Sequence, residues 1–507
     1  MLKTIRIIVS VLLFSTITFY FLDFSGVLPR FAGILPKLQF IPALLGLSIV
    51  TLAVLLTLTL LFGRAYCSSI CPLGVFQDII SWFAKKTAKK KKRFKFNKAK
   101  TVLRWSMLAL GMIAHQVGVT FLWGLLDPYS AFGRVATHVF KPIYVAGNNL
   151  LATIFTHFGN YTFYVIDNSI LSVSTLLIAL LTVAIVGLTA WKGGRTFCNT
   201  ICPVGTFLGL LSKVSLFKVR IDADKCNRCS ACAAKCKSSC IDSAGQTVDN
   251  SRCVVCFNCL GSCKKDALHF GLPAKKAAKT ITDEPDASKR QFLASALVTA
   301  VAIPTALAED KTKFISNKSA YTRQTPISPP GSLSAEHLLK HCTSCHLCIS
   351  KCPTKVLKPA FMEYGIGGVM QPMMFFEKGF CNFDCTICSD ICPNNALVHL
   401  TEEQKHTTQM GRVVFNQDIC VVHTEGTNCG ACAEHCPTQA VTMVPYKDGL
   451  TAPQTNPDIC VGCGGCEFIC PVRPYRAIFV EGNRVHQTAE RIEEGKEQVL
   501  EFDDFGF

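Results

Sequence analysis

Residues 226–236 read CNRCSACAAKC and residues 253–263 read CVVCFNCLGSC, two Cys-x2-Cys-x2-Cys-x3-Cys runs close together in the chain. A cubane iron–sulfur cluster needs four thiolates around a compact inorganic core. Three of them at i, i+3 and i+6 wrap it in one loop, and the fourth comes from elsewhere. Where two such runs are paired, the fourth Cys of each ligates the other cluster. The spacing therefore assigns Cys226, Cys229, Cys232 and Cys263 to one cluster and Cys253, Cys256, Cys259 and Cys236 to a second. Structural zinc and disulfides compete, but zinc sites show two separated Cys/His pairs rather than three even spacings and a fourth thiol.

The chain has 507 residues, 29 of them Cys, with 49% hydrophobic residues and a mean hydropathy of +0.32. Positive hydropathy in so cysteine-rich a chain predicts membrane helices joined to metal-binding modules, not a disulfide scaffold. The net charge of +17 does not point to nucleic acid, because ten Lys and Arg crowd into residues 85–100, between two apolar segments. Such a loop reads as the cytoplasmic face by the positive-inside rule, with contact to anionic membrane lipid as a further reading. Four spans are expected, near residues 4–22, 42–62, 102–126 and 172–191. Residues 127–171 read as an outer loop with interfacial pieces, in a place open to a quinone site that the sequence itself does not show. His115, in the third span, reads as a satisfied polar residue within the bundle.

The second and fourth spans end in an internal repeat, GRAYCSSICPLGVF at 63–76 and GRTFCNTICPVGTF at 194–207. Thiols at i and i+4 share one helix face, so Cys67, Cys71, Cys198 and Cys202 are candidate redox or metal thiols, as pairs or as one joint site. Inert packing thiols are the bland alternative. Paired Cys-x3-Cys-Pro motifs followed by a two-cluster segment resemble the NapH/MauN family of membrane ferredoxins and, more distantly, the membrane halves of NosR-type and CcoG-type proteins. The resemblance covers about residues 1–272 and implies a quinol-linked electron-transfer role for these four thiols and the eight Cys of 226–263. Lys237 and Lys264 depart from it, standing where ferredoxins have Pro after the last Cys of a run, and Cys240 is surplus.

Residues 288–308 carry SKRQFL and an apolar run, resembling a twin-arginine export signal with Lys289 in the first arginine's place; the segment is a fifth anchor or a cleaved signal. Residues 311–332 read as an extended polar tether that does not pack. Four more quartets follow: Cys342, Cys345, Cys348, Cys352; Cys381, Cys385, Cys388, Cys392; Cys420, Cys429, Cys432, Cys436; and Cys460, Cys463, Cys466, Cys470, each closed by Pro. They predict a four-cluster module, paired either in sequence order or with the outer quartets enclosing the inner two. Residues 333–481 resemble the NapG/MauM family of exported polyferredoxins. Residues 342–346, CTSCH, also match c-type haem attachment, which would leave Cys348 and Cys352 idle; no haem is favoured. Six quartets and two pairs use every Cys but Cys240.

The expected fold is multi-domain: an α-helical membrane bundle of four spans plus a candidate fifth, with α+β ferredoxin-like [4Fe–4S] domains. The divisions are 1–215, the helical unit; 216–272, a two-cluster domain; 273–332, a linker with the signal-like helix; 333–481, the four-cluster domain; and 482–507, an acidic tail. The expected function is oxidation of quinol from the membrane pool and relay of electrons through six [4Fe–4S] clusters to a reductase or cytochrome of anaerobic respiration, as a quinol dehydrogenase or electron-transfer subunit. The alternatives are a maturation factor that reduces a metal or cofactor for a partner enzyme, and a static scaffold. The expected location is a multi-pass inner membrane protein, its first ferredoxin domain cytoplasmic and its C-terminal domain on the outer face. No phosphate loop is read at Gly365–Gly368.

Overall fold

The computed structural model of the protein describes residues 1–23, 26, 30–87, 93–167, 172–272 and 323–491. Among them two helices, Leu2–Leu22 and Val173–Gly193, are long and apolar enough to cross a membrane. This overturns the four-span bundle and the multi-pass inner-membrane placement derived from it. The expected second span is cut at Gly46 and Leu47, the latter at φ 51, into Phe40–Leu45 and Ile49–Phe62. Fourteen helical residues reach only about 21 Å, short of a hydrocarbon core of about 30 Å. The third is cut at Gly118, φ 82, into Thr101–Gln116 and Thr120–Leu126. The candidate fifth, 288–308, lies outside the described residues, as does 492–507 of the acidic tail.

The stretch read as an outer loop is helical instead. Asp127 caps Pro128–Val135, accepting from the Ser130 backbone N–H at 2.8 Å, with Pro128 in the first turn where its missing N–H costs nothing. The helix runs on through a π-turn, Ala136–Phe140, into Lys141–His157. Around these helices a core forms from Ile17, Phe21, Tyr66, Tyr129 and Phe132, all at most 1% exposed.

The cysteine modules are built on short two-stranded antiparallel ladders. In the first, Lys218–Ile221 pairs with Leu268–Gly271, so the ends of the module meet and enclose both Cys runs. In the C-terminal module Thr408–Phe415 pairs with Ile478–Thr488, Val441–Pro445 with Thr451–Thr455, and Leu357–Pro359 with Pro372–Met374. The strand Ile478–Thr488 carries the module past residue 481. The expected unpacked tether also fails over 323–332. Ile327 is fully buried and its carbonyl accepts from the Met374 N–H at 2.9 Å, so this extended segment joins the C-terminal core.

Candidate iron–sulfur sites

In the first module one hollow is lined by Cys226, Cys229, Cys232 and Cys263. A second is lined by Cys253, Cys256, Cys259 and Cys236, with Cys240 as a fifth thiol. The crossed grouping arises because the two loops, each ending in a short helical turn, face one another inside the ladder of the terminal strands. Cys240 Sγ lies 3.5 Å from Cys236 Sγ, close enough to hydrogen-bond a ligand sulfur. Burial pushes Cys256 and Cys232 above the ordinary thiol range. Lys237 offsets part of that shift at Cys256, and thiols held protonated by burial suit a centre that removes the proton by coordination.

The C-terminal quartets cross over in sequence order. Burial pushes Cys348 well up, with Cys345, Cys342, Cys392 and, last, Cys388 adding to the shift. Cys388 is likewise pushed well up by burial, beside Cys381, Cys352 and Cys385. Cys420, Cys429, Cys432 and Cys470 line one hollow, while Cys466, raised by burial, has Cys463, Cys460 and Cys436 around it. The first quartet thus exchanges its last thiol with the second, and the third with the fourth. Burial also lifts Cys381 to about 12 and Cys463 to about 11. No Cys among the described residues is in a disulfide.

The paired motifs differ from the helical-face reading. Cys67 lies in Ala65–Ser69 and Cys198 in Thr196–Thr200, but Cys71 and Cys202 fall outside those helices. Pro72 and Pro203 start new helices, Pro72–Thr87 and Pro203–Lys213, because Pro fits a first turn and not a helix interior. Cys202 therefore caps a helix, its Sγ accepting from the Gly205 N–H at 3.3 Å. All four thiols are buried, at 3–5% exposure. Burial pushes Cys71 and Cys202 well up, Cys198 and Cys67 reinforce the shift in both, and Cys71 adds to it in Cys202; the four sites face one another.

The arginines of the repeat are exchanged. Arg64 Nη2 donates to the Cys198 carbonyl at 3.1 Å and Nη1 to Asn199 Oδ1 at 2.7 Å, while Arg195 Nη1 donates to the Cys67 carbonyl at 2.6 Å. Asp78 receives Arg195 at 2.7 Å, Arg6 at 3.0 Å and Lys237 at 2.5 Å. Burial opposes its charge, yet Arg195 and Lys237 hold its carboxyl below the usual carboxylate range. Lys237 thus replaces the ferredoxin Pro with an anchor that ties the first module to the helical unit; Lys264 is exposed. Gly194, φ 73, lets the Lys237 carbonyl approach where a Cβ would collide with it.

At the other end of the helical unit the loop before Cys345 docks. Thr343 Oγ1 meets Ser130 Oγ at 2.8 Å, Arg134 Nη1 donates to the Ser344 carbonyl at 3.2 Å, and Lys351 pairs with Asp23 at 2.8 Å. Gly133 abuts the Cys345 carbonyl, where a side chain has no room. His346 Nε2 donates to the Met370 carbonyl at 2.8 Å, which leaves Nδ1 to accept from His138 Nε2 at 2.7 Å. Burial lowers His138 to about 4, so both rings are neutral near pH 7. With both nitrogens engaged, His346 has no lone pair for a haem iron. Nothing in the sequence marked His138, Ser130 or Arg134. His115 is not the satisfied polar residue expected, since its buried Nδ1 has no hydrogen-bond partner among the described residues. Elsewhere Asp384, Glu402 and His406 bring ligand atoms within 4.8 Å of one another at the surface.

A family model described as a 4Fe-4S binding domain matches residues 43–91 and again 174–222, once around each Cys-x3-Cys-Pro motif. A 4Fe-4S dicluster domain matches residues 427–473. The ferredoxin-type protein NapF of Escherichia coli K12 is 30% identical over 157 residues, 31% of this chain and 87% of NapF. NapG of the same strain, also a ferredoxin-type protein, is 26% identical over 203 residues, 37% of this chain and 83% of NapG. The ferredoxin-type protein MauM of Methylobacillus flagellatus, named for methylamine utilization, is 28% identical over 156 residues, 29% of this chain and 64% of MauM. No solved structure matches.

Proposed function

The chain belongs to the ferredoxin-type iron–sulfur electron-transfer proteins, and from that membership we propose that it relays electrons from a quinol, through six [4Fe–4S] clusters, to a reductase or cytochrome of anaerobic respiration. What supports the reading above all is the crossed grouping of the thiols: six quartets, buried or half-buried except for the exposed Cys229, each completed by a neighbouring run, two on one side of the helical unit and four on the other. Bound there, the clusters supply one-electron steps, and burial, local charge and hydrogen bonds to sulfur set their potentials. The chain's part is to hold them apart from water and at fixed separation. Helix Leu2–Leu22 spaces the two seams directly, with Arg6 at the Asp78 seam and Asp23 at the Lys351 seam, about 25 Å apart along its axis.

The quinol donor rests on the NapH/MauN-like repeat, and the proposal takes the chain as a join of such a unit with a NapG/MauM-like polyferredoxin. The test is anaerobic. The full chain is purified with its metal, a reduced menaquinone analogue is added, and cluster reduction is followed by absorbance and EPR. Reduction by the quinol on a turnover timescale is the expected result. Clusters that dithionite reduces and quinol does not would remove quinol as the donor and favour the maturation role.

A further inference from the structure

The helical unit holds more buried positive charge than its carboxylates balance. Arg64 and Arg195 are fully buried, Lys237 is 6% exposed, and Arg6 joins them, yet Asp78 is the carboxylate that the last three share. Arg64 has no carboxylate partner among the described residues. Its contacts are Asn199, the Ser251 and Cys198 carbonyls, and Cys67 Sγ at 3.8 Å. A buried cation with no anion is costly enough that folded proteins avoid it. Arg64 Nε and Arg195 Nη2 are also buried without a hydrogen-bond partner among the described residues. Unpaired donors on two exchanged arginines, set around four facing thiols, describe a cradle that lacks its anion.

We propose that Cys67, Cys71, Cys198 and Cys202 together hold one further iron–sulfur cluster, shared between the two repeats and lying between the first module and the C-terminal one. Four thiolates outweigh the positive charge of an inorganic iron–sulfur core, so the centre is an anion and the arginines are its counter-ions. Neither repeat has four thiols, which is why each arginine reaches across to the other motif. A single zinc ion fits less well. Thiolates about 2.3 Å from zinc lie about 3.8 Å from one another, whereas among the described residues no three of these sulfurs come within 4.8 Å. The position suits a link: Cys67, Cys71 and Cys202 share one continuous core with Cys256 of the first module and Cys345 of the C-terminal module. Clustered cations stabilise the more negative reduced state, so this centre has a higher potential than the same cluster would have without them.

The inference deepens the relay reading, which gives the centre its role; the site rests on its own residues. The experiment uses the anaerobically purified full chain, with iron and acid-labile sulfide counted and EPR recorded through a redox titration. The Cys67→Ser/Cys198→Ser double variant loses one cluster's iron and sulfide while the signals of the six quartets stay. Arg64→Gln, which leaves every thiol in place, keeps the metal and lowers the midpoint of one component alone. Iron and sulfide unchanged in the double variant, or loss of zinc instead of iron, overturns the proposal. Should the double variant not fold, an Arg64→Gln titration in which no midpoint moves overturns it equally. Absent signals from the six quartets, with iron still lost from the double variant, would sink the relay reading and leave this site standing.

Discussion

Replacing Asp78 by Asn removes the one carboxylate shared by Arg6, Arg195 and Lys237, at 3.0, 2.7 and 2.5 Å, and leaves the shape nearly unchanged. Breaking a buried ion pair by deleting one partner costs about 3–5 kcal/mol, because the other charge is left uncompensated. Here three cations lose their anion, all with side chains at most 10% exposed, so the upper part of that range applies. The loss falls on one seam, where the N-terminal helix, the helix Pro72–Thr87, the second Cys-x3-Cys turn and the first cysteine module meet. Hydrogen–deuterium exchange on the intact protein should show residues 64–78 and 237–240 opening far more readily in the variant. The Asp78→Asn/Lys237→Met double variant removes one of the stranded cations and should regain part of the loss. The pH dependence has a definite sign. The folded carboxyl titrates below its unfolded value, so its contribution is complete above about pH 4 and disappears only as pH falls through the folded pKa. Lowering the pH from 7 to 5 should therefore leave this seam intact in the wild type. A single variant within about 0.5 kcal/mol of wild type, the scatter of ordinary surface substitutions, would refute the charge argument.

Gly133→Ala places a Cβ against the Cys345 carbonyl and 3.0 Å from the Phe21 ring. It should cost about 1–3 kcal/mol by overpacking and reduce exchange protection over 343–351, while Gly147→Ala, with nothing within 4 Å, serves as the tolerated control. His486, lowered by burial from 6.5 to about 4, is held neutral beside Ser328 and Ser332. Its unfolded form binds a proton first as pH falls, so stability of the C-terminal module should drop between pH 6.5 and about 4 by up to about 3 kcal/mol; His486→Gln should flatten that limb in pH-dependent urea unfolding. Thiol pairing is read by iron counts: Cys436→Ser with Cys463→Ser should remove one cluster's iron, and Cys436→Ser with Cys432→Ser two, whereas each quartet acting alone reverses the two results.

Three thiols at i, i+3 and i+6 have one compact geometry, so the spacing made an expected grouping legible in 226–263, and the same thiols line the two hollows there. The pairing of the last four quartets was not readable, since it depends on which loops face each other across the ladders. The helix count failed for a physical reason. Gly46, Leu47, Val117 and Gly118 are as apolar as the helices they separate, so hydropathy runs through both turns and only backbone angles reveal them. The helix after Asp127 was legible in principle, through the Asp-Pro cap, but its mixed face hid it because it lies against partners on several sides. Lys237 was visible as an oddity and its meaning was not, because Asp78 lies 159 residues earlier in the chain.

The exchanged arginines bear on how the two repeats depend on each other. Arg64 follows one motif's glycine yet serves the other's Cys198 carbonyl, and Arg195 does the reverse for Cys67. Gly74 and Gly205 make room for this, since a Cβ on either would meet the visiting guanidinium. Neither repeat can satisfy its own turn, so the pair folds as one unit or leaves a buried cation in each half. That unit is where both cysteine modules dock, the first through Lys237 and Ser251, the second through Thr343 and Ser344. A change that separates the repeats therefore shifts both modules together, since Arg64, which serves the second repeat's Cys198 carbonyl, also donates to the Ser251 carbonyl of the first module.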